Sequence, residues 1–361
     1  MKWSLKVAQI AGIGIYIHWT FFLLLGWIAL IHLNDPTGPL GVAESVGFVL
    51  AIFGCIVLHE LGHALTAQRF RIKTRDITLL PIGGVARLEH MPKEPRKELL
   101  VAVAGPAVNF VIAGVLYGVA MSRGSIAPLS AMWATDAPFL DRLMWINLVL
   151  GLFNLLPGFP MDGGRVLRAL LGFRMSFEQA TDIAAQVGQM TAIMFAMIGF
   201  FSNWFLLFIA LFVYMGAQAE AQMVHVRSMI RGVPVRDAML RQFTVLSGND
   251  TLGHAVDHIL AGSQQGFPVT EDGQLLGILP RNDLLKSVAL HGRDKHVDEI
   301  MRQQCETIED DEPLDKTLER MQQGDCAMFP VVNEGQLVGV ITADNIGEWL
   351  MTRAKQRDAN R

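Results

Sequence analysis

Five stretches of this chain carry no Asp, Glu, Lys or Arg: residues 7–34, 45–59, 99–122, 143–161 and 183–219. An ionisable side chain costs several kcal/mol in hydrocarbon, and a helix needs about 20 apolar residues to cross a bilayer, so these runs predict membrane spans. The last run would make one helix of roughly 55 Å at about 1.5 Å per residue, and Phe201-Ser202-Asn203-Trp204 interrupts it, which predicts a hairpin of two spans. Six spans result, over about residues 12–34, 45–66, 99–121, 142–160, 183–201 and 204–222. Lys2 and Lys6 precede the first run as they would in a signal peptide, but the run is too long for one and lacks a small-residue cleavage site. It is read as a retained anchor.

The pattern changes after residue 230. The first 230 residues hold 29 of the 64 charged residues and the remaining 131 hold 35. From about residue 232 the chain repeats with an offset of 62: Phe267-Pro268-Val269 matches Phe329-Pro330-Val331, and Gly273-Gln274-Leu275 matches Gly335-Gln336-Leu337. Each copy reads as an opening turn, a helix from Thr251 or Pro313, a strand, a Gly turn, a second strand and a closing helix. The predicted organisation is a polytopic α-helical membrane domain over residues 1–224, then an α+β module used twice, over 232–292 and 294–354. A cleft between the copies suits a small ligand, and dimerisation is the competing role.

Composition sharpens this picture. Hydrophobic residues make up 51% of the 361 and charged ones 18%, with a mean hydropathy of +0.34; soluble domains carry about 25% charged residues, so the composition argues against an ordinary cytosolic enzyme. The net charge of -4 leaves no basic footprint for nucleic acid. Cys55, Cys305 and Cys326 are too few and too scattered for a disulfide framework or a thiolate metal site. Lys and Arg of short loops stay on the cytoplasmic side. Arg69, Arg71, Lys73, Arg75, Arg87, Lys93, Arg96 and Lys97 lie between the second and third spans, whereas Leu33 to Glu44 has no basic residue. With Arg165, Arg168 and Arg174 after the fourth span, both termini are expected in the cytoplasm of a multi-pass cell (inner) membrane protein.

The chemistry sits at the ends of spans. The second ends in His59-Glu60-Leu61-Gly62-His63, in which histidines at i and i+4 share a helix face with Glu60 beside them, a pattern that can grip zinc. A catalytic zinc usually has three protein ligands and an open position. Asp162 is the candidate third ligand: it ends a charge-free run and lies among Pro157, Gly158, Pro160, Gly163 and Gly164, which break the helix. The topology puts all three ligands near cytoplasmic ends. A helix cap or solvated turn is the plainer reading of Asp162. Given the metal, Glu60 is placed as general base toward water, and the natural reaction is hydrolysis of a peptide bond. A substrate reaching that depth would be a membrane-spanning segment that has to unwind.

Asn109 and Asn154 are expected either to bind substrate backbone, to brace the zinc shell, or to bond helix to helix. Ile77 to Ala86 reads as short strands around a Gly83-Gly84 bend, either an edge for an extended substrate or a membrane-surface hairpin. Cys55 and His18 read as interior residues rather than ligands.

Together, His59 to His63, the Gly105-Pro106 to Asn109 element and Asn154 through Pro157 and Pro160 to Asp162-Gly163-Gly164 resemble the site-2 protease family of intramembrane zinc metalloproteases, here followed by a tandem CBS pair. The resemblance implies six spans, one zinc held by His59, His63 and Asp162, Glu60 as base, and regulated cleavage of membrane-anchored proteins such as anti-sigma factors. It also implies that the CBS pair regulates or dimerises the enzyme. CBS pairs often hold an adenine nucleotide through Gly-h-h-Thr/Ser-x-x-Asp; the first copy keeps Asp283 but loses the hydroxyl, and the second keeps Thr342 with Asn345 in the acid's place. The rival reading is a membrane sensor or transporter that binds metal without hydrolysis, which has no need of Glu60.

Overall fold

The computed structural model describes residues 3–33, 38–81, 83–88, 92, 94–133, 137–262, 264–303, 305–323, 326 and 328–359. Lys2, Lys93 and Ile82, used in the readings above, lie outside the described residues. The chain divides into two units, Met1–Val224 and His225–Arg361.

The first unit opens with strands rather than a helix. Ser4–Ile10 (β1) and Ile13–His18 (β2) pair antiparallel around Ala11-Gly12, both at positive φ as a two-residue hairpin turn requires. This corrects the expectation of a first span from residue 12. Ile13, Ile15 and Ile17 alternate along β2, and Ile13 packs with Leu61, Ala64 and Ile77, so the apolar run is a sheet up to His18. His18 then caps the helix Trp19–Ile31 (α1), accepting from the Thr20 N–H. Its 13 residues reach about 20 Å, short of a hydrocarbon core of about 30 Å.

Gly38–Arg69 (α2) follows, then Thr74–Leu80 (β3) and Gly83–Leu88 (β4). The four strands form one sheet in the order β1-β2-β3-β4, with β2 and β3 parallel and the other pairs antiparallel. The predicted Gly-Gly bend is displaced: Gly83 pairs with Leu80, and Gly83 and Gly84 are the first residues of β4. β4 is a sheet edge.

Pro95–Ser122 (α3) starts with proline at its first position, where no N–H is needed. Phe139–Asn154 (α4) ends six residues before the predicted boundary at residue 160, because Pro157 and Pro160 cannot continue it. After a turn through 155–161 come Asp162–Leu171 (α5), Phe177–Ser202 (α6) and Phe205–Ile230 (α7). α6 begins in a capping box between Ser176 and Gln179, and the break at Asn203-Trp204 gives the expected hairpin. Among the described residues, α2, α3, α6 and α7 are the four helices long and apolar enough to cross a membrane.

The second unit contains Leu246–Ser247 (β5), Leu252–Ala261 (α8), Gly266–Glu271 (β6), Gln274–Pro280 (β7) and Arg281–His291 (α9). Ile308–Glu309 (β8), Leu314–Gln323 (α10), Met328–Asn333 (β9), Gln336–Thr342 (β10) and Ala343–Ala359 (α11) follow. The two sheets, β5-β6-β7 and β8-β9-β10, have the same pairing, as the repeat predicts. The opening segments are exchanged, however. Leu240 bridges to Val340 in the second copy, and Arg302 bridges to Ile278 in the first. Val235 and Ala238 accordingly pack in the core of the second copy with Leu314 and Phe329, and Val297 in that of the first with Leu252 and Phe267.

Candidate metal centre

α2 carries His59, Glu60 and His63, and its period brings the two imidazoles into an edge-to-face pair with centroids 4.8 Å apart. The Nε2 atoms stand 3.1 Å from each other, and Asp162 Oδ2 lies 3.1 Å from that of His59 and 3.0 Å from that of His63. All three side chains are buried. Among the described residues this is the group of three or more His, Cys, Asp and Glu side chains that could hold a metal.

The donor set fits zinc. Two imidazoles and a carboxylate are zinc ligands, and bonds of about 2.0–2.1 Å at tetrahedral angles put ligand atoms roughly 3.3 Å apart. The outer ring nitrogens are already engaged: His63 Nδ1 donates to the Val101 carbonyl at 2.7 Å, and His59 Nδ1 to Asn109 Oδ1. Each bond holds the proton on Nδ1 and turns the lone pair of Nε2 inward. Gly105 completes the cradle. A Cβ there would overlap the Nε2 atoms of both histidines, so only glycine lets α3 lie against the rings. On the other side of the centre, Gly163 and Gly164 let the start of α5 press on the 155–159 turn, where any Cβ would meet backbone atoms of Leu155, Leu156 and Gly158. Asp162 is the first residue of α5, a helix end that favours negative charge, and its Oδ1 faces Arg165 Nη1 at 3.5 Å.

Of the two asparagines singled out in the sequence, Asn109 is committed to the centre. It is buried, its Oδ1 accepts from His59 and its Nδ2 donates to Asn147 Oδ1 at 3.0 Å. That arrangement braces the side chains of the centre. Asn154 ends α4 and is half-buried. Gly84 backs onto Glu60, since a Cβ on it would lie 3.0 Å from Glu60 Cγ. The sequence reading missed Asn147, which donates to the Leu143 carbonyl and to Cys55 Sγ while receiving Asn109; an uncharged amide within an apolar run was its only mark. It also missed the buried Arg168, whose Nε donates to Glu98 Oε1 at 2.7 Å and whose Nη1 donates to Glu220 Oε1 at 3.1 Å. Its guanidinium stacks on Phe159 and Phe177.

In the second unit, both nucleotide candidates have partners. Arg302 Nε donates to Asp283 Oδ2 at 2.7 Å. Thr342 Oγ1 donates to Asn345 Oδ1 at 2.8 Å and accepts from the Asn345 N–H at 3.2 Å, an N-terminal cap for α11.

Long apolar helices around a buried His-Glu-x-x-His pair and a distant carboxylate define a membrane zinc peptidase. Comparison with known proteins agrees. The model of Peptidase family M50 matches residues 47–138 and 125–196, and the CBS domain model matches 235–290 and 297–351. A zinc metalloprotease of Methanocaldococcus jannaschii is 33% identical over 347 residues, 96% of either chain. Stage IV sporulation protein FB of Bacillus subtilis is 24% identical over 252 residues, 66% of this chain and 82% of the relative. The solved site-2 protease from Methanocaldococcus jannaschii is similar with 38% identity and a TM-score of 0.45, covering 61% of this chain and 95% of that one. The chain belongs to peptidase family M50, the site-2 protease family of zinc metalloproteases, and carries a tandem CBS pair.

Proposed function

We propose that His59, His63 and Asp162 are the zinc ligands of this protease and Glu60 its general base. The convergence of three ligand atoms to within 3.1 Å of one another, from positions about a hundred residues apart in the chain, carries this reading. When bound, zinc supplies Lewis-acid polarisation of the scissile carbonyl and of the attacking water. Glu60, beside the ligands, takes the water's proton and returns it to the leaving amine. Asn109 and the Val101 carbonyl hold the imidazoles in the ligating tautomer throughout. β4 offers an open edge beside Glu60, so an unwound substrate adding to Gly83 and Gly84 as a further strand would pass its amides across the base. Asn154 is a further substrate contact in this reading. The test is Glu60→Gln: the purified variant should retain zinc and lose cleavage of a transmembrane substrate by about 100-fold or more. Unchanged cleavage would overturn the assignment.

The membrane arrangement follows from the same reading. α2, α3, α6 and α7 cross the bilayer, and α1 and α4, at about 20 and 24 Å, make up the six by local thinning. Exposed Phe22, Trp27 and Leu30 on α1 and Leu152 on α4 suit lipid. The Lys and Arg distribution supports a cell (inner) membrane protein with both termini in the cytoplasm and the metal centre near that face. Residues 1–224 form the protease, and 232–292 and 294–354 the CBS repeats, in line with the matched segments. The substrates are membrane-anchored proteins, with anti-sigma factors as the type the resemblance implies. The CBS pair regulates or dimerises the enzyme. Adenine nucleotide at Asp283 and Thr342 would have to displace Arg302 and Asn345; calorimetry with ATP, ADP and AMP on the full chain tests this, and flat traces leave assembly as the role.

A further inference from the structure

His254 and His258 on α8 repeat the geometry of the catalytic pair. Their Nε2 atoms are 3.2 Å apart, with ring centroids at 4.7 Å and planes at 71°; for His59 and His63 the values are 3.1 Å, 4.8 Å and 79°. The outer nitrogen of His254 is also engaged. Its Nδ1 faces Asp250 Oδ1 at 3.4 Å, and that carboxylate is anchored in turn by the Ser247 N–H on Oδ2 at 2.7 Å. A carboxylate behind an imidazole fixes the ring's orientation and the tautomer with Nε2 free, the usual support of a metal-bound histidine.

The CBS fold does not demand this arrangement. At the offset of 62, Lys316 and Arg320 stand in place of His254 and His258, and Glu312 in place of Asp250. There Arg320 simply pairs with Glu312 and Glu306. The first copy has two imidazoles where the second has two permanent cations, on a face that is open to solvent.

We propose that His254 and His258 form a second metal site, a two-histidine chelate for a divalent late-transition cation such as zinc, with water completing the shell. Imidazole nitrogens select zinc, copper and nickel over magnesium and calcium. With two protein ligands the site exchanges its ion, unlike a buried three-ligand centre. The plain alternative is one imidazole donating a hydrogen bond to the other.

The experiment is equilibrium dialysis of the full chain in detergent against micromolar free zinc, with bound metal counted by mass spectrometry. Two zinc ions per chain are expected for the natural protein, one for His258→Ala, and one for His59→Ala. His258→Ala should keep full proteolytic activity. One ion in the natural protein with none in His59→Ala, or two ions in both the natural protein and His258→Ala, would overturn the proposal. One ion in the natural protein that survives His59→Ala and vanishes in His258→Ala would instead uphold this site and count against the catalytic one.

Discussion

Arg168 and Glu98 join α5 to α3 by a buried ion pair, Nε to Oε1 at 2.7 Å, six residues after Asp162 in the chain. The same guanidinium reaches Glu220 on α7, so one side chain ties α3 and α7 to α5, the element that carries Asp162. Removing one partner of a buried pair leaves an uncompensated charge and costs about 3–5 kcal/mol. Arg168→Met should lower the unfolding temperature of the detergent-solubilised protein and weaken zinc retention. Arg168→Met combined with Glu98→Met should recover part of the loss, and equal loss in both would remove the pair from the account.

Gly105→Ala should abolish zinc binding and cleavage, because the new methyl group takes space held by both imidazoles. Gly114→Ala is the control on the same helix: a Cβ there meets nothing within 4 Å, and it should keep both properties. Metal analysis of the two purified variants makes the comparison.

Asn109→Ala should leave the ligands in place but free His59 to turn. Losing such an outer partner typically costs 10–100-fold in metal affinity, so competition with a chelator should show a drop of about that size. Asn147→Ala should show a smaller drop, as it acts on His59 only through Asn109.

Chelation should abolish cleavage, and zinc added back should restore it. With Glu60→Gln the same cycle should change bound metal without restoring activity, separating the metal from the base.

In the CBS unit, Cys305 Sγ lies 2.9 Å from Cys326 Sγ. Burial, then the neighbouring Cys326, push the Cys305 thiol from an ordinary value of 9.0 up to about 12. The folded state therefore binds this proton more tightly than the unfolded chain. Its contribution to stability is complete below about pH 9 and is lost as pH rises toward about 12. Alkylation followed by mass spectrometry should find Cys305 slow to react at neutral pH, where the reactive thiolate is scarce, and fast in the denatured protein.

Much of the site was legible because the relevant spacing is local. Four residues on a helix bring His59 and His63 onto one face whatever surrounds them, and a carboxylate that closes an apolar run, as Asp162 does, stands out by its cost in hydrocarbon. The helical hairpin at Asn203 and the repeat of 62 were visible for similar reasons. The stretch before His18 was misread because a continuous apolar run suits a buried strand as well as a helix, and periodicity alone does not separate them. Gly83 and Gly84 were taken for a bend because glycine marks turns and open strand edges alike. Asn109 was recognised but its partner Asn147 was not, since the bond joins two helices whose register no local pattern specifies.

The amino-acid sequence by itself determined the apolar helices, the i, i+4 histidine pair with Glu60 beside it and the twofold CBS repeat, all set by hydrophobicity and short-range periodicity. Tertiary structure alone decided which oxygen meets the two Nε2 atoms, which glycine admits the imidazoles, that Arg168 ties three helices together, and that the two CBS copies exchange their opening segments. Those are contacts between residues tens to over a hundred positions apart, and they exist only once packing has brought separate elements to within a few ångströms.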